Sequence, residues 1–432
     1  MKIGLSYGDS ADSEQELVNL SGAGFKIGSF TDDGSFKEMG KTRYSHIKAH
    51  IKSAGGSWHI LLDDGYEPDE TVKSQLSQHE ISSHMIEGCT RELMGSFTSR
   101  NAANRIIKKY KLNAMPYYDG KGSIYLTDKD DDELIYISED GISRLAVIPV
   151  GENPLTAYAS NRYRGAFEFK MHDADHLTLI NYVGLEDYVK GVIPYEMSYD
   201  WPQEALKAQA VCARTYGVYN ENRFIEYGFD LTADTYSQVY RGTLEANEKS
   251  DAAVDETAGE LLRYKGEPCE IYYCSSNGGA TEDGINVFDT NVPYLTGKTD
   301  PFEDALKYPL KNWKFRLDGE DIEYNLNKRG YEIGTVTELI PEYSDTDNVI
   351  SIKFIDENEN TLEIKGRDCY TSLGLHSCRF QIIKDDDGFS FIGKGWGHSC
   401  GMSQWGANAM ASVYGYNYED ILRFYFSGAY VA

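Results

Sequence analysis

The sequence predicts an α+β protein of two or three folding units, and three observations carry that prediction. The chain has 432 residues, more than an ordinary single domain, and 41% of them are apolar, enough for real cores. Short strand-like runs broken by Gly, Ser and Asp fill 2–49 and 123–180. Other segments carry apolar residues at helical spacing, above all 204–220.

Lys2–Tyr7 is the first strand candidate and opens a β-rich part expected over 1–50. Residues 55–120 read differently. Trp58–Leu62 is a strand candidate, Glu67–Leu76 is helical, and Ile81–Ile86 and Glu92–Ser96 are strand candidates. Ser99–Tyr110 is helical by spacing, with Ala102, Ile106, Ile107 and Tyr110 on one face. That order, β-α-β-β-α, is a split βαβ arrangement. A third part is expected over 123–432, with a charged loop at Asp128–Glu133. Asp200-x-x-Gln203 fits a capping box, and Pro202 suits the first turn of the helix that follows. Asp251–Ala258 and Asn417–Ser427 read as helices, Pro268–Ser275 and Val349–Phe354 as strands. Residues 301–348 are polar and acidic and show no period.

Acidic residues number 69 against 42 basic, a formal net charge of −27. Nucleic acid and anionic membrane both need a basic surface, so neither is an expected partner. No apolar run approaches the length of a transmembrane helix, so none is expected. No basic-then-apolar leader precedes the first strand, and the chain is read as a mature form with an added Met1. Seven cysteines, at 89, 212, 269, 274, 369, 378 and 400, form no CxxC pair. Cys269 with Cys274, and Cys369 with Cys378, are spaced to close short loops. A buried thiol is the other reading, and the default one for Cys212 within the helix.

Three stretches carry candidate chemistry. Gly393–Ala407 holds five glycines in fifteen residues, with Trp396, His398, Gln404 and Trp405 between them. Such backbone freedom shapes either a tight turn or a site where aromatic faces and polar tips converge. Glu196 follows the apolar run Val192-Ile-Pro-Tyr. A carboxyl in apolar surroundings has its pKa raised and can act as a general acid, although alone it equally reads as a strand-end Glu. Lys207 and Arg214, seven apart on the expected helix, share one face. Gln209 lies between them and reads as an outward hydrogen-bonder or simply exposed.

The pieces LEDYVKGVIPYEM, WPQEALKAQAVCART and GKGWGHSCGMSQWGA, in that order, resemble the SpoIID/LytB family over roughly 130–432. Met94–Ala103 also resembles a SPOR repeat, a small module that binds bare glycan; an unrelated α+β insert fits equally well. The family resemblance implies an extracytoplasmic, cell-wall-associated protein acting on peptidoglycan glycan strands by lytic transglycosylation. Glu196 then matches the family's catalytic glutamate, and Lys207 and Arg214 fall near the active cleft. A cell-wall amidase acting beforehand is the implied partner. Tyr273, Ser275, Ser276, Asn277, Trp396, His398, Gln404 and Trp405 are the expected substrate-binding residues, Trp396 and Trp405 by stacking on sugar faces. At Cys274-Ser275 the family usually has His-Ser. Some relatives hold zinc, so Cys274, His398 and Cys400 are open to three readings: a zinc site, a disulfide between the two cysteines, or buried thiols. No fourth ligand is identifiable, and no cofactor is certain. The rival reading is a non-enzymatic, glycan-binding activator of an amidase.

Overall fold

The structure is a computed structural model. It describes residues 1–8, 11–31, 34–53, 57–63, 81–86, 89–118, 122–131, 134–137, 144–173, 176–309 and 311–432. Strands and helices are mixed throughout, as an α+β protein requires. The chain divides into two compact units, 1–184 with 222–237, and 185–221 with 238–432.

The first unit is mainly β. Strand Lys2–Ser6 pairs antiparallel with Leu177–Tyr182 and parallel with Leu231–Thr232. These belong to a seven-stranded sheet that continues through Ala166–Met171, Arg144–Pro149, Phe25–Phe30 and Phe36–Thr42. Arg144–Pro149, Ala166–Met171 and Leu177–Tyr182 thus share a sheet with N-terminal strands, and the boundary expected at 123 falls inside this unit. A six-stranded sheet contains Glu14–Asn19, where Gln15, Leu17 and Asn19 point inward at the period of two that a half-buried strand demands. Trp58–Leu62, Ile81–Ile86, Cys89–Phe97 and Ala114–Tyr118 form a separate four-stranded sheet. Helix α1, Arg100–Tyr110, is capped by the Ser99 side chain. Its Ala103, Ile106, Ile107 and Tyr110 pack on Ile60, Leu62 and Met94. The helix expected at Glu67–Leu76 lies outside the described residues.

The second unit begins with α2, Leu185–Glu196, and α3, Gln203–Tyr219. Glu196 therefore closes a helix; it does not end a strand. Pro194 lies in the last turn and removes one N–H from the ladder, yet the helix runs on past it and Met197 N–H still reaches Ile193 O at 3.0 Å. The capping box read from Asp200 and Gln203 does not form. The N-cap is Pro202, without a side-chain bond, and its carbonyl accepts from Ala205 and Leu206 at 3.0 and 3.2 Å. Helix α4, Glu248–Glu256, follows with Asn247 as its cap. The short α5, Gly284–Phe288, precedes a segment that showed no period in the sequence. That segment contains strand Asn312–Leu317, helix α6, Gly319–Asn327, and strand Val336–Tyr343. With α7, Asp368–Ser372, and the strands from 349 to 394 they enclose a core of Trp313, Ile322, Leu326, Ile352, Phe354 and Phe391. Helices α8, Gln404–Ser412, and α9, Tyr418–Tyr425, complete the unit and pack on α3. Among the described residues no helix is long and apolar enough to cross a membrane.

One close approach in α2 gives a direct test. An added Cβ at Gly191 would lie 2.5 Å from Cε2 of buried Tyr240 and 2.9 Å from Gly242 O. Gly→Ala in a helix normally gains about 1 kcal/mol. Here overpacking of about 1–3 kcal/mol opposes that gain, so Gly191→Ala is expected to lower the unfolding temperature. A melting point at or above wild type would show that the Tyr240 ring yields.

Candidate active site

Glu196 ends α2 with its carboxyl turned toward two other elements. From the start of α8, Gln404 donates Nε2–H to Glu196 Oε2 at 3.2 Å. From strand Tyr273–Cys274, the Tyr273 hydroxyl also faces the carboxyl. Burial raises the Glu196 pKa above the usual carboxylate range, and the Tyr273 and Gln404 donors pull it back in part. The site combines the two properties that one group needs to release and recover a proton: partial burial and donors for its anion.

The strand and α8 are held in register by backbone. Tyr273–Cys274 pairs parallel with Met402–Ser403, and Ser403 caps α8 through Gly406 N–H. The glycine loop between them is forced. Gly401 has φ +75°, and a Cβ there would meet Tyr272 O at 2.0 Å. Gly397, at φ +109°, would drive a Cβ to 2.8 Å from Cys274 Cβ.

Buried Glu303 ties this scaffold together. It accepts from Ser403 Oγ, from Asn277 N–H at 2.9 Å, from Ser276 Oγ at 2.7 Å and from Tyr308 OH at 2.6 Å. Asn277 also donates to Asp300 Oδ2 at 2.7 Å. Ser276 and Asn277 are buried; Ser276 Oγ and Asn277 Nδ2 are spent on these carboxylates and Asn277 Oδ1 accepts from Gly279 N–H at 2.9 Å, so both build the loop. Glu303 and Tyr308 lie in the stretch without sequence periodicity, which gave no signal for them.

The two Trp residues differ. The Trp405 ring stacks on Tyr308, centroids 4.6 Å apart at 13°, with Trp201 tilted against it at 4.7 Å. Its N–H backbone group bonds Ser275 O at 3.0 Å. Trp396 is 44% exposed and stacks one face on His376, 4.5 Å away at 14°. His398 is pushed down to about 4 by burial and is neutral at physiological pH. Its Nδ1 accepts Cys400 N–H at 3.1 Å, and its ring sits edge-on to Phe288. It orders the loop.

The basic pair is placed elsewhere. Lys207 and Arg214 do share a face of α3, as their spacing required, but that face meets α2 and α4. Lys207 Nζ pairs with Glu256 at 2.7 Å and Glu204 at 3.1 Å. Arg214 is 0% exposed and grips Glu186 through Nε and Nη2 at 2.9 and 2.6 Å. Its remaining donors reach Val254 O and Glu260 O at 3.1 and 3.2 Å. Gln209, two residues from Lys207 and hence about 200° around the helix, faces the other way. Its Oε1 accepts from Gln404 at 3.5 Å, and its buried Nε2 has no partner among the described residues. Helical spacing alone would have separated Gln209 from the basic pair.

Six cysteines are described, all buried free thiols, so none of the loop-closing disulfides forms among them. Burial pushes Cys269 and Cys369 up to about 12 and Cys274 and Cys400 up as well. Cys274, His398 and Cys400 do not gather within ligand distance of one another, and His398 Nδ1 is already engaged. These donors do not fit a zinc ion. The group that does gather among the described residues, Glu14, His50 and Asp131, encloses Lys48, 3.0 Å from Asp131 and 3.7 Å from Glu14. It is an ion-pair cluster.

Comparison with known proteins bears on the same region. A family model described as stage II sporulation protein matches residues 173–264. The chain is 38% identical over 274 residues to an uncharacterised protein of Brachyspira hyodysenteriae, covering 62% of this chain and 71% of that protein. It is 30% identical over 268 residues to stage II sporulation protein D of Bacillus subtilis, covering 58% and 75%. With the amidase enhancer of Bacillus subtilis it shares 29% identity over 286 residues, 56% of this chain and 39% of that protein.

Proposed function

The chain belongs to the stage II sporulation protein D family, and from that premise and the setting of Glu196 we propose that it is a peptidoglycan lytic transglycosylase of the cell wall, acting outside the cytoplasm. The supporting observation is a single half-buried carboxyl with a raised pKa, faced by Tyr273 and Gln404. Protonated Glu196 gives its proton to the oxygen bridging N-acetylmuramic acid and N-acetylglucosamine. The bond breaks toward that oxygen, and the muramic 6-hydroxyl attacks its own anomeric carbon. The Glu196 carboxylate takes the hydroxyl proton, leaving a 1,6-anhydro end. One carboxyl suffices, whereas glycoside hydrolases ordinarily use two. Glu303, a carboxylate of the loop scaffold, is buried and saturated with donors, which suits a scaffold and not a second catalyst.

Within this reading, Gln404 and Tyr273 steady the carboxylate. Trp396 offers its free face to a sugar, and Ser275 lies beside Trp405 at the same loop. Lys207 and Arg214 act by holding α3 to α4 and α2. The substrate is glycan stripped of peptides by an amidase, and the SPOR-like insert would favour such strands. A second reading has one observation in its favour, the similarity to an amidase enhancer: the cleft binds glycan without cutting it and stimulates an amidase.

Mass spectrometry of glycan strands, stripped by an amidase and then incubated with the protein, separates the readings. Anhydro-ended fragments are the expected result. Reducing ends would mean a hydrolase. Intact strands that nevertheless bind would leave the activator.

A further inference from the structure

A carboxyl that gives up a proton and recovers one must be supported as an anion inside a partly buried site. Tyr273 is part of that support, and its usefulness depends on where its only proton points. A chain of three groups, buried Tyr188 and Gln238 and half-buried Tyr273, carries this polarity. Tyr188 OH, on α2, donates to Gln238 Oε1 at 3.0 Å. Gln238 Nε2 donates to Tyr273 OH at 2.8 Å. Tyr188 and Gln238 are 0% and 2% exposed.

We infer that Gln238 is a positioning residue whose amide turns the Tyr273 hydroxyl proton toward Glu196. An amide NH2 only donates and an amide carbonyl only accepts. An ionised carboxylate only accepts, so Tyr273 spends its proton on Glu196 and its oxygen takes the Gln238 NH2, which leaves the amide carbonyl for the Tyr188 hydroxyl. The Tyr273 oxygen accepts from it and keeps its own proton for the carboxylate. A flipped amide would present its carbonyl and draw that proton away. The segment carrying Gln238 is anchored on α2: Tyr240 packs on Tyr188, centroids 5.2 Å apart, and fills the space left by Gly191.

The groups facing Glu196 are few. Tyr273 comes from the strand, Gln404 from α8 and Tyr188 from its own helix. Burial holds both tyrosines well above the ordinary range, so both stay neutral and the hydrogen bonds keep their direction. Lys207 and Arg214 are committed to their own carboxylates.

The catalytic meaning of this relay rests on the proposed reaction; its polarity does not, and the test reads the polarity directly. The Glu196 carboxyl carbon can be titrated by 13C NMR, assigned by its loss in Glu196→Gln. Tyr273→Phe is expected to move the midpoint upward. Gln238→Met and Tyr188→Phe should move it in the same direction by no more, and Gln238→Met added to Tyr273→Phe should move it no further. In the cleavage assay kcat should fall roughly tenfold or more for Tyr273→Phe with KM unchanged. Tyr188→Phe removes one hydroxyl and keeps the ring packing, so it decides the matter if Gln238→Met does not fold. Wild-type midpoints in both Gln238→Met and Tyr188→Phe, or a full further shift in the double variant, would overturn the inference. No cleavage by the wild type would instead sink the transglycosylase reading and leave the titration standing.

Discussion

Glu196→Gln is expected to abolish glycan cleavage and, at neutral pH, to raise the unfolding temperature. The first effect follows from the chemistry. A positioned general acid and base contributes about 10²–10⁴-fold, and here one group fills both roles, so the loss belongs at the upper end. The second effect follows from burial. The Glu196 pKa is raised from its unfolded value of 4.5 mainly by desolvation. The folded chain therefore holds this proton more tightly than the unfolded chain does. Its contribution to stability is fully present below the unfolded pKa and is lost as pH rises through the folded one. At pH 7 the wild type carries that cost and the Gln variant does not. The variant can still accept from Tyr273 and face Gln404 with its carbonyl, so little packing is lost. Melting both proteins at pH 4 and pH 7 checks the argument. The gap should open at pH 7 and close toward pH 4. An equal gap at both would assign the gain to packing, and a variant less stable at pH 7 would mean that Glu196 is structural. A variant that still cuts would remove Glu196 from the mechanism.

What the sequence made legible follows from what side-chain pattern encodes. The helical period of 204–220 and the strand-like run at Lys2–Tyr7 are each encoded within one element, and both elements formed. The spacing of Lys207 and Arg214 correctly put them on one face, but spacing cannot say what that face meets. It meets Glu256 and Glu186, and the face that meets Gln404 is the one carrying Gln209. The partners that define the site come from distant parts of the chain. Gln404 is 208 residues from Glu196, and Gln238 is 35 from Tyr273. Neither pairing leaves a local period. The stretch 301–348 hid its elements because its exposed strand and helix faces are charged, as in Val336–Tyr343, where Glu338 and Glu342 are exposed. Its buried residues became readable only once Trp313, Ile322 and Leu326 met strands from 349 onward. The Asp200 capping box failed for a simpler reason: Pro202 already supplied an N-cap carbonyl and a compatible φ of −56° two residues later.

Arg214→Leu is expected to cost about 3–5 kcal/mol of folding stability. The side chain is fully buried and Glu186 is 34% exposed, so the variant strands a partly buried carboxylate and leaves the Val254 and Glu260 carbonyls without their donor. The exposure of Glu186 places the loss toward the lower end of that range. Lys cannot replace the forked guanidinium, which reaches a carboxylate and two carbonyls at once, so Arg214→Lys should recover little. Lys207→Ala breaks pairs with Glu256 and Glu204 that water already screens, and should cost no more than about 1 kcal/mol. Urea unfolding of the three variants measures this order directly. Activity then separates structure from catalysis. If Arg214 serves the fold, Arg214→Leu assayed well below its unfolding midpoint keeps most of its cleavage rate per folded molecule. Adding Glu186→Leu should return part of the lost stability, because the stranded charge goes with it. A variant that folds as stably as wild type but cannot cut would put Arg214 in the reaction after all, reached through a rearrangement of α3 and α4 on substrate binding.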